Sequence, residues 1–361
     1  MSSTTTVEIP KVQRAAVIEE LGKPYSLKTE HPVKQQQELA PGECLIKMEF
    51  AGVCHSDLHI RNGDWATKAP IPIVGGHEGI GRVVAIGDHS SGAVKVGDRV
   101  GVKWIGKVCG KCELCRTGNE NCCLLTFQTS HGFKLNGTFQ EYAVSFVDYV
   151  TPIPEEMDAA ASTPILCAGL TVYKALKNAH LTVGQWVAIS GAGGGLGHLA
   201  IQYARAMGYR VLAIDTGITK KELCLELGAE KWVDFKESND LIADVKAATD
   251  GAGPHAAVIA AGDAKPFNQA IMYLRFTGTL VCVGMPGSDA FLQVPITLLI
   301  AKGLKIIGSS IGTQQDVTEA LNLVSLGLVK CKHVIKKLED VNEVLDDMST
   351  GKIAGRVVLR F

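Results

Sequence analysis

A chain of 361 residues is too long for one ordinary domain, and at roughly 150 residues per domain it divides into two. With 46% hydrophobic and 20% charged residues it can bury a core, which excludes wholesale disorder. The 36 Lys plus Arg against 37 Asp plus Glu leave no cationic footprint for a nucleic acid or an anionic membrane.

No apolar run reaches the roughly 18 residues that cross a bilayer, and the opening Met1-Ser-Ser-Thr-Thr-Thr-Val-Glu-Ile-Pro10 lacks the apolar core of a signal peptide. A cytoplasmic protein with no membrane partner is expected. The first half then reads as β-rich, in short runs punctuated by Gly and Pro: Glu43–Phe50, Gly81–Ile86 and Asp98–Trp104. A folded-over or barrel-like sheet follows. From Gln185 onward the rhythm changes to apolar strands alternating with helical patterns. Six strands are expected, at Trp186–Ser190, Arg210–Ile214, Lys231–Phe235, Ala256–Ala260, Thr279–Gly284 and Leu304–Ser309. Between the first two, Leu196, Leu199, Ala200, Tyr203, Ala204 and Met207 recur at helical spacing. The pattern predicts a doubly wound parallel sheet, α/β in class. The strand-like tail Arg356–Arg360 is too short for a domain and is expected to complete the first one.

Between the first of those strands and its helix lies Gly191-Ala-Gly-Gly-Gly-Leu-Gly197. Glycines here permit a tight turn and bring a pyrophosphate to backbone N–H groups at the positive end of a helix. The spacing is G-x-G-x-x-x-G, one residue longer than the usual fingerprint, and a crowded turn could use the same glycines. Context favours a dinucleotide, since Asp215 ends the second strand, where a carboxylate accepts hydrogen bonds from an adenosine ribose and repels a 2′-phosphate. NAD is therefore expected over NADP.

Eleven cysteines, in a reducing compartment, are metal or catalytic candidates before they are disulfides. Cys109, Cys112 and Cys115 are followed by Cys122 and Cys123, so four thiolates can close around a Zn²⁺ that holds a loop and does no chemistry. An iron–sulfur cluster would want a different last spacing and a proline. Either Cys122 or Cys123 could supply the fourth ligand. Cys54, His77 and Cys167 are scattered, and each alone reads as a buried core residue; together they would form the Cys₂His set of an open, catalytic zinc.

The segments Ala51-Gly-Val-Cys-His-Ser-Asp-Leu-His59, Gly63-Asp-Trp65 and Val74-Gly-Gly-His-Glu-Gly79 then take on meaning together. With the cysteine cluster, Ile165–Ala175, Ala204–Leu212 and Gly355-Arg356, they resemble the zinc-dependent medium-chain alcohol dehydrogenases, most closely the yeast type. The run G-H-E-x₂-G-x₅-G from Gly76 to Gly87 is the most specific part.

The resemblance implies a GroES-like catalytic domain at 1–166, a Rossmann domain at 167–310, and a return to the catalytic domain at 311–361. It implies two zinc ions per subunit, a catalytic one on Cys54, His77 and Cys167 and a structural one on Cys109, Cys112, Cys115 and Cys123. Asp57 would fix the His77 ring, and Glu78 would approach the zinc or stand behind it as an ordinary carboxylate. Ser56 and His59 would relay the alcohol proton. Gly191, Gly193, Gly194, Gly195, Leu196, Gly197, Asp215, Lys220 and Val283, with His55 and Arg356 toward the pyrophosphate, would bind NAD. Trp65 and Trp104, with Met285, would line a narrow pocket.

The implied activity is reversible, NAD-dependent oxidation of small, ethanol-like primary alcohols to aldehydes, in a homotetramer. The rivals are an aldehyde reductase or a polyol or cinnamyl-alcohol dehydrogenase of the same superfamily, and a cofactor-binding protein without catalysis, which would be expected to have lost a ligand among Cys54, His77 and Cys167. None is lost.

Overall fold

The computed structural model describes residues 8–361, so most of the opening segment considered for a signal peptide lies outside the described residues. The chain forms two compact units, the first running to Cys167 and including His333–Thr350 and Val357–Phe361, the second comprising Ala168–Lys332 and Gly351–Arg356. Among the described residues no single helix is long and apolar enough to cross a membrane.

The first unit is organised by the strand Glu43–Val53, which pairs antiparallel with Gly79–Ile86, with Tyr142–Phe146 and with the returning C-terminal strand, Val357 facing Val53 and Arg360 facing Phe50. Alternation along these strands sends Cys44, Ile46, Met48, Val83, Val100, Val102 and Ala143 into one core, as the period of two requires. Glu43–Val53 runs straight into the helix His55–Asn62, so Cys54 stands at a strand-to-helix junction. That junction positions the site.

The second unit is a six-stranded parallel sheet in the spatial order Lys231–Asp234, Arg210–Asp215, Trp186–Ser190, Ala256–Ile259, Thr279–Cys282, Lys305–Gly308. In chain order this is 3-2-1-4-5-6, the Rossmann arrangement, in which the direction of winding reverses beside the first strand and leaves a crevice at its carboxyl end. The expected strands are all present. Most are shorter at one or both ends, because ladder pairing stops before the apolar run does: Val283 and Gly284 continue past Cys282 without extending the ladder.

The second unit also keeps more of the C-terminal chain than the boundary at 310 anticipated, extending to Lys332. The helix Gln314–Ser325 buries Val317, Ala320 and Leu321 in this unit and is tied to it by charge as well. The helix Gln314–Ser325 is capped by Thr313 and carries Asp316 inward, 2% exposed, where its carboxylate accepts from Lys177 at 2.8 Å and pairs with Lys174 at 3.1 Å, both on the helix Ala168–Asn178. Burial pushes the Asp316 carboxyl up, but Lys177, Thr313 and Lys174 outweigh it and hold it at about 2. A folded-state value below the unfolded one of about 3.9 contributes stability above that pH and loses it as pH falls toward 2. Asp316→Asn should therefore destabilise the protein by about 2 kcal/mol at neutral pH, with roughly half of that difference gone by pH 3. Urea unfolding of both proteins across pH 3–7 checks this; a pH-independent difference would contradict it.

Candidate active site

Cys54 is the N-cap residue of the helix His55–Asn62, and its own N–H donates to Asp57 Oδ2 at 2.9 Å in a capping box. The other oxygen of the same carboxylate, Oδ1, lies 2.8 Å from His77 Nδ1. This fixes the ring and leaves Nε2 facing Cys167 Sγ at 3.2 Å. The ligand atoms of Cys54, His77 and Cys167 all lie within 4.8 Å of one another, and Asp57 and His77 have no solvent exposure. Burial pulls the His77 imidazolium down, but Asp57 and Cys54 outweigh it and hold the group well above its ordinary value. Glu78, also fully buried, occupies space that exists only because residue 52 is glycine: a Cβ there would lie 2.3 Å from Glu78 Oε1.

An aromatic wall adjoins this cluster. The Trp104 ring meets His77 edge-on at 5.1 Å between centroids and Trp65 at 6.1 Å. Phe133 stacks on Trp104 at 5.7 Å and meets Trp65 at 5.8 Å. Sequence reasoning paired the two tryptophans and missed Phe133, which sits on a turn with no spacing signal. It also missed Asp64, whose Oδ2 lies 2.7 Å from His59 Nδ1, although Asp64 stands within the quoted Gly63-Asp-Trp65 motif. Ser56 Oγ is 3.9 Å from Cys54 Sγ, and His55 is exposed with its ring 6.1 Å from that of His59.

The sulfurs of Cys109, Cys112, Cys115 and Cys123 form a second group within 4.8 Å, with Cys112 Sγ and Cys115 Sγ 3.5 Å apart. Cys123 is buried in the group and Cys122 is exposed beside Asn121, outside it. Backbone N–H groups of Lys111 and Cys112 bring the Cys109 thiol down to about 6, while desolvation pushes Cys115 up to about 12. Without a cation Cys115 keeps its proton near neutral pH.

In the second unit Gly191 takes φ +76°, and a Cβ on Gly197 would lie 2.1 Å from Gly191 O, so the helix Gly197–Ala206 can start only this close to its strand without a side chain. Asp215 accepts the Gly193 N–H at 2.9 Å and pairs with Lys220 at 3.2 Å. One amide of the loop is thus committed to Asp215 and is not a phosphate donor. Gly194 has only Gly191 O, at 3.3 Å, near its would-be Cβ, and Gly195 faces Arg356, whose Cδ and Nη1 lie 3.0 Å from the same position. Leu196 is the N-cap residue of the helix. Val283 is buried and Met285 is exposed, both just beyond the Thr279–Cys282 strand.

The alcohol dehydrogenase GroES-like domain family matches residues 40–155 and the zinc-binding dehydrogenase family matches residues 195–325. The chain is 45% identical over 353 residues to alcohol dehydrogenase 1 of Neurospora crassa, covering 98% of each. The chain belongs to the zinc-dependent medium-chain alcohol dehydrogenases. Its fold is similar to that of the alcohol dehydrogenase from Aeropyrum pernix, at a TM-score of 0.87 and 28% identity, covering 96% of this chain and 100% of that one. It is likewise similar to acetophenone reductase from Geotrichum candidum, solved in complex with NAD, at a TM-score of 0.86 and 29% identity, covering 98% and 99%.

For a dehydrogenase of this family both donor sets have suitable chemistry. Two thiols and an imidazole leave a zinc one open position, whereas four thiols close it. A ligand held in place by a buried carboxylate binds metal more tightly, so Asp57→Asn should weaken zinc at the three-donor site by about 10- to 100-fold. Competition with a graded chelator series reads this, and the four-cysteine site should be unaffected. Equal affinity in the variant would remove Asp57 from the site.

Proposed function

We propose that the protein oxidises small primary alcohols of the ethanol type to aldehydes, reversibly, with NAD and with one catalytic and one structural zinc per subunit. The observation that carries this reading is the buried Cys54–His77–Cys167 donor set, whose histidine meets the Trp104 ring edge-on. When bound, zinc supplies Lewis acidity toward the alcohol oxygen and NAD accepts the hydride at its nicotinamide C4.

The chain's own residues do the rest. Cys54, His77 and Cys167 hold the catalytic metal, and Cys109, Cys112, Cys115 and Cys123 the structural one. Glu78 backs the donor set. Ser56 takes the alcohol proton and His59 passes it outward; Asp64 at His59 Nδ1 leaves Nε2 as the exchanging nitrogen. Trp65, Trp104 and Phe133 exclude water and shorten the pocket. Gly191, Gly194, Gly195, Leu196 and Gly197 receive the pyrophosphate with Arg356, Gly193 ties the loop to Asp215, and Val283 completes the cofactor site. Asp215, 5% exposed, faces the ribose hydroxyls and repels a 2′-phosphate, while Lys220 offsets part of its charge.

A cytoplasmic homotetramer completes the reading. It is supported by the balanced charge and by the outermost strand of the parallel sheet, Lys305–Gly308, and the preceding helix Ile296–Lys302, which leave Ile296, Ile300 and Ile306 exposed.

Initial rates with NAD and NADP across straight-chain, branched and aromatic alcohols test this function. Efficiency should be highest for ethanol, falling by about 1 kcal/mol for each methylene the pocket cannot bury, and NAD should be strongly preferred. Asp215→Gly should relax that preference. Higher efficiency with benzyl or branched secondary alcohols, or equal use of NADP by the wild type, would overturn the reading.

A further inference from the structure

We propose that Lys103 is a positioning residue that ties the four-cysteine lobe to the alcohol pocket, so that the lobe helps set which alcohols fit. This rests on the pocket assignment given above. Lys103 follows the strand Arg99–Val102 and immediately precedes Trp104, and its side chain and main chain serve opposite ends of one connection.

The side chain, 2% exposed, reaches the lobe. Its amine donates to Tyr149 O at 2.6 Å and to Thr151 Oγ1 at 2.8 Å, and lies 4.4 Å from the centroid of the Tyr149 ring. The Tyr149 hydroxyl donates to Glu120 Oε1 at 3.0 Å. Glu120 opens the turn Glu120–Cys122, and the next residue is Cys123, the buried member of the four-cysteine group. Burial draws the Lys103 amine down to about 7 while Glu120 pulls it back up, and the hydrogen bonds of the connection can be made in either protonation state.

The main chain reaches the pocket. Lys103 O accepts from His131 Nδ1 at 2.7 Å, and Trp104 O accepts from the His131 N–H at 2.9 Å. His131 has no solvent exposure, and burial lowers its pKa to about 4, so it is a neutral donor. Two residues on is Phe133, stacked on Trp104. One histidine therefore clamps both aromatic walls to the backbone that carries Lys103.

A buried amine is costly to desolvate, and an apolar side chain of similar length could fill the same volume. What the amine adds is direction: it fixes the Tyr149 main chain, and with it the hydroxyl that meets Glu120. A lobe built on closely spaced cysteines takes its shape from its metal, and this line of buried hydrogen bonds gives that shape a route to Trp104 and Phe133.

The test uses Tyr149→Phe, which removes only the hydroxyl, Lys103→Met, and the pair Glu120→Ala and Glu120→Gln, the last keeping an oxygen acceptor for Tyr149. The ratio of kcat/KM for hexanol to that for ethanol should shift by about threefold or more in Tyr149→Phe, Lys103→Met and Glu120→Ala, and stay near wild type in Glu120→Gln. The tryptophan bands of near-ultraviolet circular dichroism, to which the Trp65–Trp104 pair contributes, should change in Glu120→Ala and be restored in Glu120→Gln. If Lys103→Met does not fold, the Tyr149 and Glu120 variants carry the test. Lower melting temperatures with an unchanged ratio and unchanged tryptophan bands would overturn the proposal. A wild type that oxidises no alcohol would defeat the pocket assignment instead, and the dichroism of the Glu120 pair would still decide the connection.

Discussion

A carboxylate without solvent exposure has to be compensated where it lies, and Asp57 is compensated on both of its oxygens. Its two oxygens are held by the Cys54 N–H and by His77 Nδ1. Removing one partner from such a group typically costs about 3–5 kcal/mol, because the charge is left buried and alone. Asp57 thereby does several things at once. It caps the helix His55–Asn62, sets the direction of the His77 ring, and draws Cys54 and His77 together before any metal arrives. The third donor, Cys167, meets the nitrogen that Asp57 leaves available.

The approach of these pieces also depends on bare backbone. The turn that carries Phe133 lies against Gly75 and Gly76, immediately before His77: a Cβ on Gly137 would fall 1.9 Å from Gly76 O, and Gly132 takes φ +71° with Gly76 O 2.5 Å from its would-be Cβ. Main chain packs on main chain there, which admits no side chain and little adjustment. The aromatic wall and the histidine it adjoins are therefore parts of one rigid contact. The same economy appears at Gly197, where the helix of the dinucleotide loop starts against Gly191.

What could be read in the sequence was what is encoded locally. The six parallel strands, the glycine loop, Asp215 and the four-cysteine group each announce themselves within a few residues, because strand period, turn chemistry and metal-ligand spacing are short-range properties. Cys167 is separated from His77 by 90 residues, and no spacing joins them; only the resemblance to a family linked the three donors before the fold brought them together. Phe133 and the Asp64 contact to His59 escaped because an aromatic residue on an irregular turn and a carboxylate five residues from its histidine have many ordinary explanations. The extent of the second unit was misjudged for a similar reason: the pairing of Asp316 with Lys174 and Lys177 is a tertiary contact that strand counting does not reveal.

One chain thus builds two metal sites with different purposes, one open and one closed. Elemental analysis of the purified wild type and of Cys167→Ser tests it most directly. Two zinc ions per chain are expected in the wild type, and one in a Cys167→Ser protein that remains folded. A single zinc in the wild type, or two retained in Cys167→Ser, would contradict it.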